Sequence, residues 1–295
     1  MSAIKTVIAT VNGTDYTLTY NSTSGAYEAS ITAPTKSSYS QTNHVYGVTV
    51  KATDVAGNVA TDTSKTLRVL EKIAPVVVFT SPTSGAGLTN NKPTIKINVT
   101  DNDSGVDLST FSLKIDSGAA ITTGYTTTAI TNGHTITYTP TTALSDGSHT
   151  ITASVSDYDG NVSAVASITI KIDTAPPALT ITEPTDNKVT NTAQCMVSGT
   201  TNDALSSPVT VAITLGGTDV GSVTVGSDGS FSKAITLVEG ANTIVVTSTD
   251  ALGKKTSVTR TVTLDTSVPV FTSITVTPNP VDAGATYTIS VKVSS

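Results

Sequence analysis

The sequence predicts an all-β chain built as a tandem array of sandwich modules, and three observations carry that expectation. An Asp-x-x-Gly motif recurs at Asp54-Val55-Ala56-Gly57-Asn58, Asp157-Tyr158-Asp159-Gly160-Asn161 and Asp250-Ala251-Leu252-Gly253-Lys254. Positions −4 and −6 before each Asp are small or apolar: Val50 and Val48, Ala153 and Ile151, Val246 and Ile244. Such a segment reads as a strand that sends alternate side chains into a core, then ends in a turn where Asp caps its own backbone and Gly takes positive φ. Each copy meets a proline roughly twenty residues later (Pro75, Pro176, Pro269), and the three Asp residues stand 103 and 93 residues apart. That interval suits one sandwich per repeat.

The expected architecture is therefore a set of tandem immunoglobulin-like β-sandwiches in an elongated array, with prolines stiffening the short linkers. Residues 1–72 form the first module. Ile4–Val11 is a strand, Asn12-Gly13 a hairpin turn, and Tyr16, Leu18 and Tyr20 alternate on the return. Residues 34–41 read as a polar loop, followed by strands over 46–53 and 65–70. Residues 73–173 form the second module, with strands marked by Val76–Phe79, by Ile95, Ile97 and Val99, and by Phe111, Leu113 and Ile115. Residues 174–265 form the third, where Pro177 and Pro184 repeat the seven-residue spacing of Pro75 and Pro82. Residues 266–295 read as the opening strands of an incomplete module. No segment carries helical periodicity.

Composition narrows the function classes. Hydrophobic residues make up 37% of the 295, aromatic residues 4%, and there is no Trp, which suits several small cores. Charged residues are only 13% and the net charge is −6, with no run of Lys or Arg, so nucleic acid and membrane insertion are not expected. Cys195 stands alone, which excludes an internal disulfide and reads as a small buried strand residue. The opening Met1–Val7 shows no secretory signal pattern, and no apolar run is long enough to span a membrane.

The search for chemistry yields no catalytic constellation. His44, His134 and His149 are scattered. His149 occupies position −8 of a closing strand, where the other copies carry Tyr46 and Asn242, and so reads as structural. The chain is expected to be non-enzymatic. One acidic stretch, Asp101-Asn102-Asp103-Ser104-Gly105-Val106-Asp107, has two readings. It is no EF-hand, because Gly105 falls where an oxygen ligand is needed and no Glu closes the loop. In an immunoglobulin-like sandwich, however, the B–C and F–G loops share one end. Asp101, Asp103 and Asp107 would then approach Asp157 and Asp159, giving five carboxylates able to hold Ca²⁺ at the junction with the first module. The alternative is that these residues only make Asx turns.

Val225-Gly226-Ser227-Asp228-Gly229-Ser230-Phe231 and Glu239-Gly240-Ala241-Asn242-Thr243-Ile244 resemble the glucodextranase B-like group of bacterial Ig-like domains. Leu67–Pro75 and Pro278-Asn279-Pro280-Val281-Asp282-Ala283-Gly284 resemble Ig-like repeat proteins from the tail genes of phages of Gram-positive bacteria. That resemblance, with the missing export signal, implies a structural protein of a phage virion, in the tail or its fibres. Its role would be spacing, decoration or weak adhesion to host surface glycans, with other copies of itself or other virion proteins as partners. The alternatives are a fragment of a bacterial cell-surface adhesin or stalk, on the extracellular bacterial surface, and a carbohydrate-binding accessory module.

The two ends complement each other. The first module starts at what reads as strand C and lacks proline-led opening strands, while residues 266–295 supply such strands and stop. Their combined length matches the second module to within one residue. The expectation is donor-strand addition. Three sandwiches in line separate the ends by roughly 100 Å, so the donor would be a neighbouring copy.

Overall fold

The computed structural model describes residues 3–294 and divides between Ile172 and Asp173 into two compact units. Nearly every element is a strand; among the described residues the sole helical turn is a 3-10 turn at Thr42–His44.

The first unit opens with β1 (Ile4–Val11), β2 (Thr14–Asn21), β3 (Ala26–Glu28), β4 (Tyr46–Asp54) and β5 (Val59–Leu67), which form one antiparallel sheet in the order β3-β2-β1-β4-β5. Asn12 and Gly13 both take positive φ, 47° and 73°, and Val11 pairs with Thr14 as the Asn-Gly signal requires. Val7, Ala9 and Val11 are buried on one face of β1. Val48 and Val50 on β4 are only half-buried, because no second sheet covers this one among the described residues. The strand expected over 65–70 lies earlier, at Val59–Leu67. The chain leaves the ladder after Leu67 because both the N–H and the C=O of Val69 bond Ser38. The loop at 34–41 is not simply solvated either: Ser37 and Ser38 are each 1% exposed.

A two-sheet sandwich follows in the same unit. It comprises β6 (Val76–Ser81), β7 (Gly87–Leu88), β8 (Ile95–Thr100), β9 (Val106–Ile115), β10 (Thr126–Ile130), β11 (Gly133–Tyr138), β12 (Gly147–Asp157) and β13 (Ala166–Ile172). The sheets run β10-β11-β8-β6 and β7-β13-β12-β9, with β7 parallel to β13. Ile95, Ile97 and Val99 on β8 interleave with Phe111 and Leu113 on β9, Ile151, Ala153 and Val155 on β12, and Ile170 and Ile172 on β13. The period-2 pattern thus places one face of each strand in a dry core.

The second unit repeats this plan. It contains β14 (Ala178–Glu183), β15 (Lys188–Thr190), β16 (Gln194–Asn202), β17 (Thr210–Leu215), β18 (Thr218–Asp219), β19 (Ser230–Thr236), β20 (Gly240–Thr249) and β21 (Lys255–Leu264). The sheets run β14-β16-β19 and β15-β21-β20-β17-β18, closing on Val197, Ile213, Phe231, Ile244, Val246 and Val262. Cys195 lies in this core, 8% exposed, as a small apolar residue of β16. The unit ends with a two-stranded ladder of β22 (Val270–Thr277) and β23 (Thr288–Ser294). Tandem immunoglobulin-like β-sandwiches are therefore the architecture.

Candidate metal sites at the closing turns

The three Asp-x-x-Gly turns are superimposable in their bonding. Asp54 N, Asp157 N and Asp250 N each donate to the carbonyl four residues on, at 3.0 Å in every copy. Asp54, Asp157 and Asp250 each accept the N–H of the residue four on through Oδ1, at 2.8, 2.8 and 2.9 Å. Gly57, Gly160 and Gly253 take φ of 89°, 92° and 86°, where a side chain would be strained. The second carboxylate oxygen distinguishes the copies. Asn58 Nδ2 donates to Asp54 Oδ2 and Asn161 Nδ2 to Asp157 Oδ2, at 2.9 and 2.7 Å. In the third copy the equivalent residue is Lys254, whose Nζ reaches the Thr174 carbonyl instead. Asp250 Oδ2 is left buried and without a hydrogen-bond partner.

Of the five carboxylates expected to converge in the first unit, Asp101 and Asp157 do so, and Glu71 joins them. One oxygen from each of the three lies within 4.8 Å of the others. Asp101 and Asp157 are 7% and 2% exposed, and Asp101 Oδ1 accepts the N–H groups of Asp103 and Gly105. The other three carboxylates are engaged elsewhere. Asp103 accepts the Ser37 N–H at 3.0 Å, and Asp159 Oδ2 accepts Ser37 Oγ at 2.6 Å and Glu71 N–H at 3.0 Å. Asp107 lies in β9 rather than in the loop and caps Ser109 through its N–H and Oγ.

These bonds tie the first module to the second. Ser104 N–H donates to Glu71 Oε1 at 2.6 Å, Asn161 Nδ2 donates to the Glu71 carbonyl at 3.2 Å, and Tyr39 stacks on Tyr158 at 4.2 Å and 7°. Burial pushes the Glu71 carboxyl above its ordinary range, and the Asp101 and Asp103 charges add to this, against the hydrogen bonds from Ser104. Ser104 Oγ beside it is buried without a partner.

The second unit holds a matching group that the sequence reading did not anticipate. Asp173, Asp203 and Asp250 each place one oxygen within 4.8 Å of the other two. The positions correspond one for one with the first unit. Glu71 and Asp173 stand four residues before Pro75 and Pro177, Asp101 and Asp203 directly follow β8 and β16, and Asp157 and Asp250 open the closing turns. The spacing from acid to proline was the available signal.

Other candidates resolve into structure. His149 Nδ1 meets Asp116 Oδ2 at 2.7 Å and Nε2 meets the Ser145 carbonyl at 2.8 Å. Tyr46 and Asn242, its counterparts at −8, are likewise buried and bond the Lys36 and Val238 carbonyls. Tyr125 and Tyr138 pack, half-buried, against the second module's core, Tyr125 edge-on to Phe111. Among the described residues no helix is long and apolar enough to cross a membrane.

The family models that match the chain agree with this architecture. Residues 81–174 match the family model of a bacterial Ig-like domain, and residues 177–266 match that of glucodextranase, domain B. Bacillopeptidase F of Bacillus subtilis (strain 168) is 30% identical over 131 residues, which is 44% of this chain and 9% of that protein. The chain thus spans less than a tenth of that relative's length. Similar solved structures include the fibronectin(III)-like modules of Clostridium thermocellum CbhA, with a TM-score of 0.33 and 20% identity over 64% of this chain and 94% of that one. Sidekick-1 immunoglobulin domains 1–4 align with a TM-score of 0.38 and 13% identity over 89% of this chain and 68% of that one. A tetra-tandem repeat from the extending region of a large adhesion protein aligns with a TM-score of 0.32 and 22% identity over 98% and 79%.

Proposed function

Starting from an Ig-like repeat protein, we propose that the chain is a non-catalytic structural component whose first two modules are locked at a fixed junction. One observation carries this reading. Ser37, Glu71, Asp103, Asp159 and Asn161 bond across the junction, and the Tyr39–Tyr158 stack lies beside them. A flexible linker would have no use for two serines buried to 1% exposure. The chain acts as a spacer, decoration or weak adhesion module in a phage tail or fibre, a finer reading supported by the resemblance of Leu67–Pro75 and Pro278–Gly284 to phage tail proteins. Ca²⁺ at Glu71, Asp101 and Asp157 would brace the same junction, in keeping with the orphaned Ser104 hydroxyl. Exchange of β22 and β23 between copies is the proposed mode of assembly. Its support is the solvent exposure of Phe271, Ile274, Ile289 and Val293, at 66%, 61%, 57% and 54%. Immunogold electron microscopy of purified particles tests the assignment. Label on tails supports it, while label confined to the surface of phage-free cells establishes the adhesin or stalk alternative.

A further inference from the structure

We propose that Asp173, Asp203 and Asp250 form a calcium site in the second unit's sandwich, separate from the first-unit cluster. Asp173 and Asp250 are 1% and 6% exposed, yet the ion pairs among the described residues, His149–Asp116 and Lys188–Glu183, supply this group with no counter-charge. Three carboxylates so close repel one another, and burial removes the water that would screen them. Local donors satisfy only part of the group. Asp173 accepts Ala175 N–H through Oδ1 and Ser206 Oγ through Oδ2. Asp203 Oδ1 accepts the N–H groups of Leu205 and Ser206, both at 2.8 Å. Asp250 Oδ1 accepts those of Leu252 and Lys254 at 2.8 and 2.9 Å.

Asp250 Oδ2 is the second, independent sign. A buried carboxylate oxygen with no donor is rare and calls for a ligand. The substitution of Lys254 for the Asn of the other two turns is what frees it, since Lys254 Nζ goes to the Thr174 carbonyl. The ligand set is all oxygen and anionic, which selects a hard divalent cation. Oxygens about 2.4 Å from one Ca²⁺ lie at most ~4.8 Å from each other, a limit that the three carboxylates meet. Ca²⁺ is favoured over Mg²⁺ because it accepts irregular geometry and completes its shell with water.

Calorimetry on the full chain, stripped with EGTA, tests the site. An Asp101→Asn background silences the first-unit cluster, so any remaining heat belongs to the second unit. The expected result is one Ca²⁺ per chain with a Kd of ~10⁻⁴–10⁻³ M, abolished by Asp250→Asn and by Asp203→Asn. Asn retains the Oδ1 cap of each turn, and far-ultraviolet circular dichroism verifies that the fold survives. Thermal unfolding gives a second readout: Asp250→Asn unfolds at a higher temperature than its parent in EGTA and at a lower one in millimolar Ca²⁺. Absence of heat in the Asp101→Asn chain, or heat unchanged in both variants, overturns the proposal. So does thermal stability that ignores Ca²⁺ in the parent and in both variants. A virion role would stand through any of these outcomes.

Discussion

His149 shows how one buried polar side chain is made affordable. Both ring nitrogens face acceptors, Asp116 Oδ2 and the Ser145 carbonyl, an arrangement that only the imidazolium satisfies. Desolvation pulls the His149 pKa down, but the Ser145 bond and the Asp116 pair outweigh it and hold the value above normal. Desolvation likewise pushes Asp116 up, and the donors from His149 and Thr150 outweigh it and hold the carboxyl below normal. The raised His149 pKa gives stability that is complete below its unfolded value of about 6.5 and is lost as pH rises through the folded one. The depressed Asp116 pKa gives stability present above about 3.9 and lost as pH falls through its folded value. The advantage of wild type over His149→Asn should therefore be greatest between those limits and shrink on either side, read as the first unit's thermal midpoint against pH. A difference that stayed flat from pH 5 to pH 9 would rule out the ion pair as its source.

At the scale of elements, close strand packing depends on a few side chains being absent. In β16, Gly199 pairs with Ile181 of β14. A Cβ there would lie 2.0 Å from the Thr180 carbonyl and 3.0 Å from Phe231 Cζ. Backbone cannot swing aside as a flexible side chain would, so Gly199→Ala must push β14 away from β16 or displace Phe231 from the core. The expected loss is about 1–3 kcal/mol, confined to the second unit's transition in urea denaturation. An unshifted midpoint would mean that β14 gives way freely. The closing turns work on the same principle of local fit, with Asp supplying the cap and Gly the positive φ.

At the scale of the molecule, the two sandwiches each bury a complete core, while β1–β5 and β22–β23 do not. The β22–β23 ladder leaves one apolar face of Phe271, Ile274, Val276, Ile289, Val291 and Val293 exposed, and β1–β5 leaves Ile4 and Val59 at 45% and 52% exposed. If strands pass between copies, a chain ending at residue 268 should lose concentration-dependent self-association in analytical ultracentrifugation. Its residues 3–67 should also exchange amide hydrogens faster, while β6–β21 keep their protection. An unchanged oligomeric state with unchanged protection of β1–β5 would dismiss strand exchange.

What the sequence determined by itself is local. Period-2 alternation, the Asn12-Gly13 hairpin, the three Asp-x-x-Gly turns, the polar residue at −8 and the burial of Cys195 all depend on neighbours within a few residues, so they were legible in order along the chain. Asp101 and Asp157 could be brought together on paper because sandwich loops are known to share an end. What only the tertiary structure decided is which acids meet there. Glu71 and Asp173 lie in linkers whose path depends on how each sandwich receives its preceding strand. Asp103 and Asp159 were drawn away by Ser37, whose loop reads as merely polar until it is seen buried at the junction. Convergence of charge is a property of sheet order and loop docking, and no spacing within a single strand encodes it.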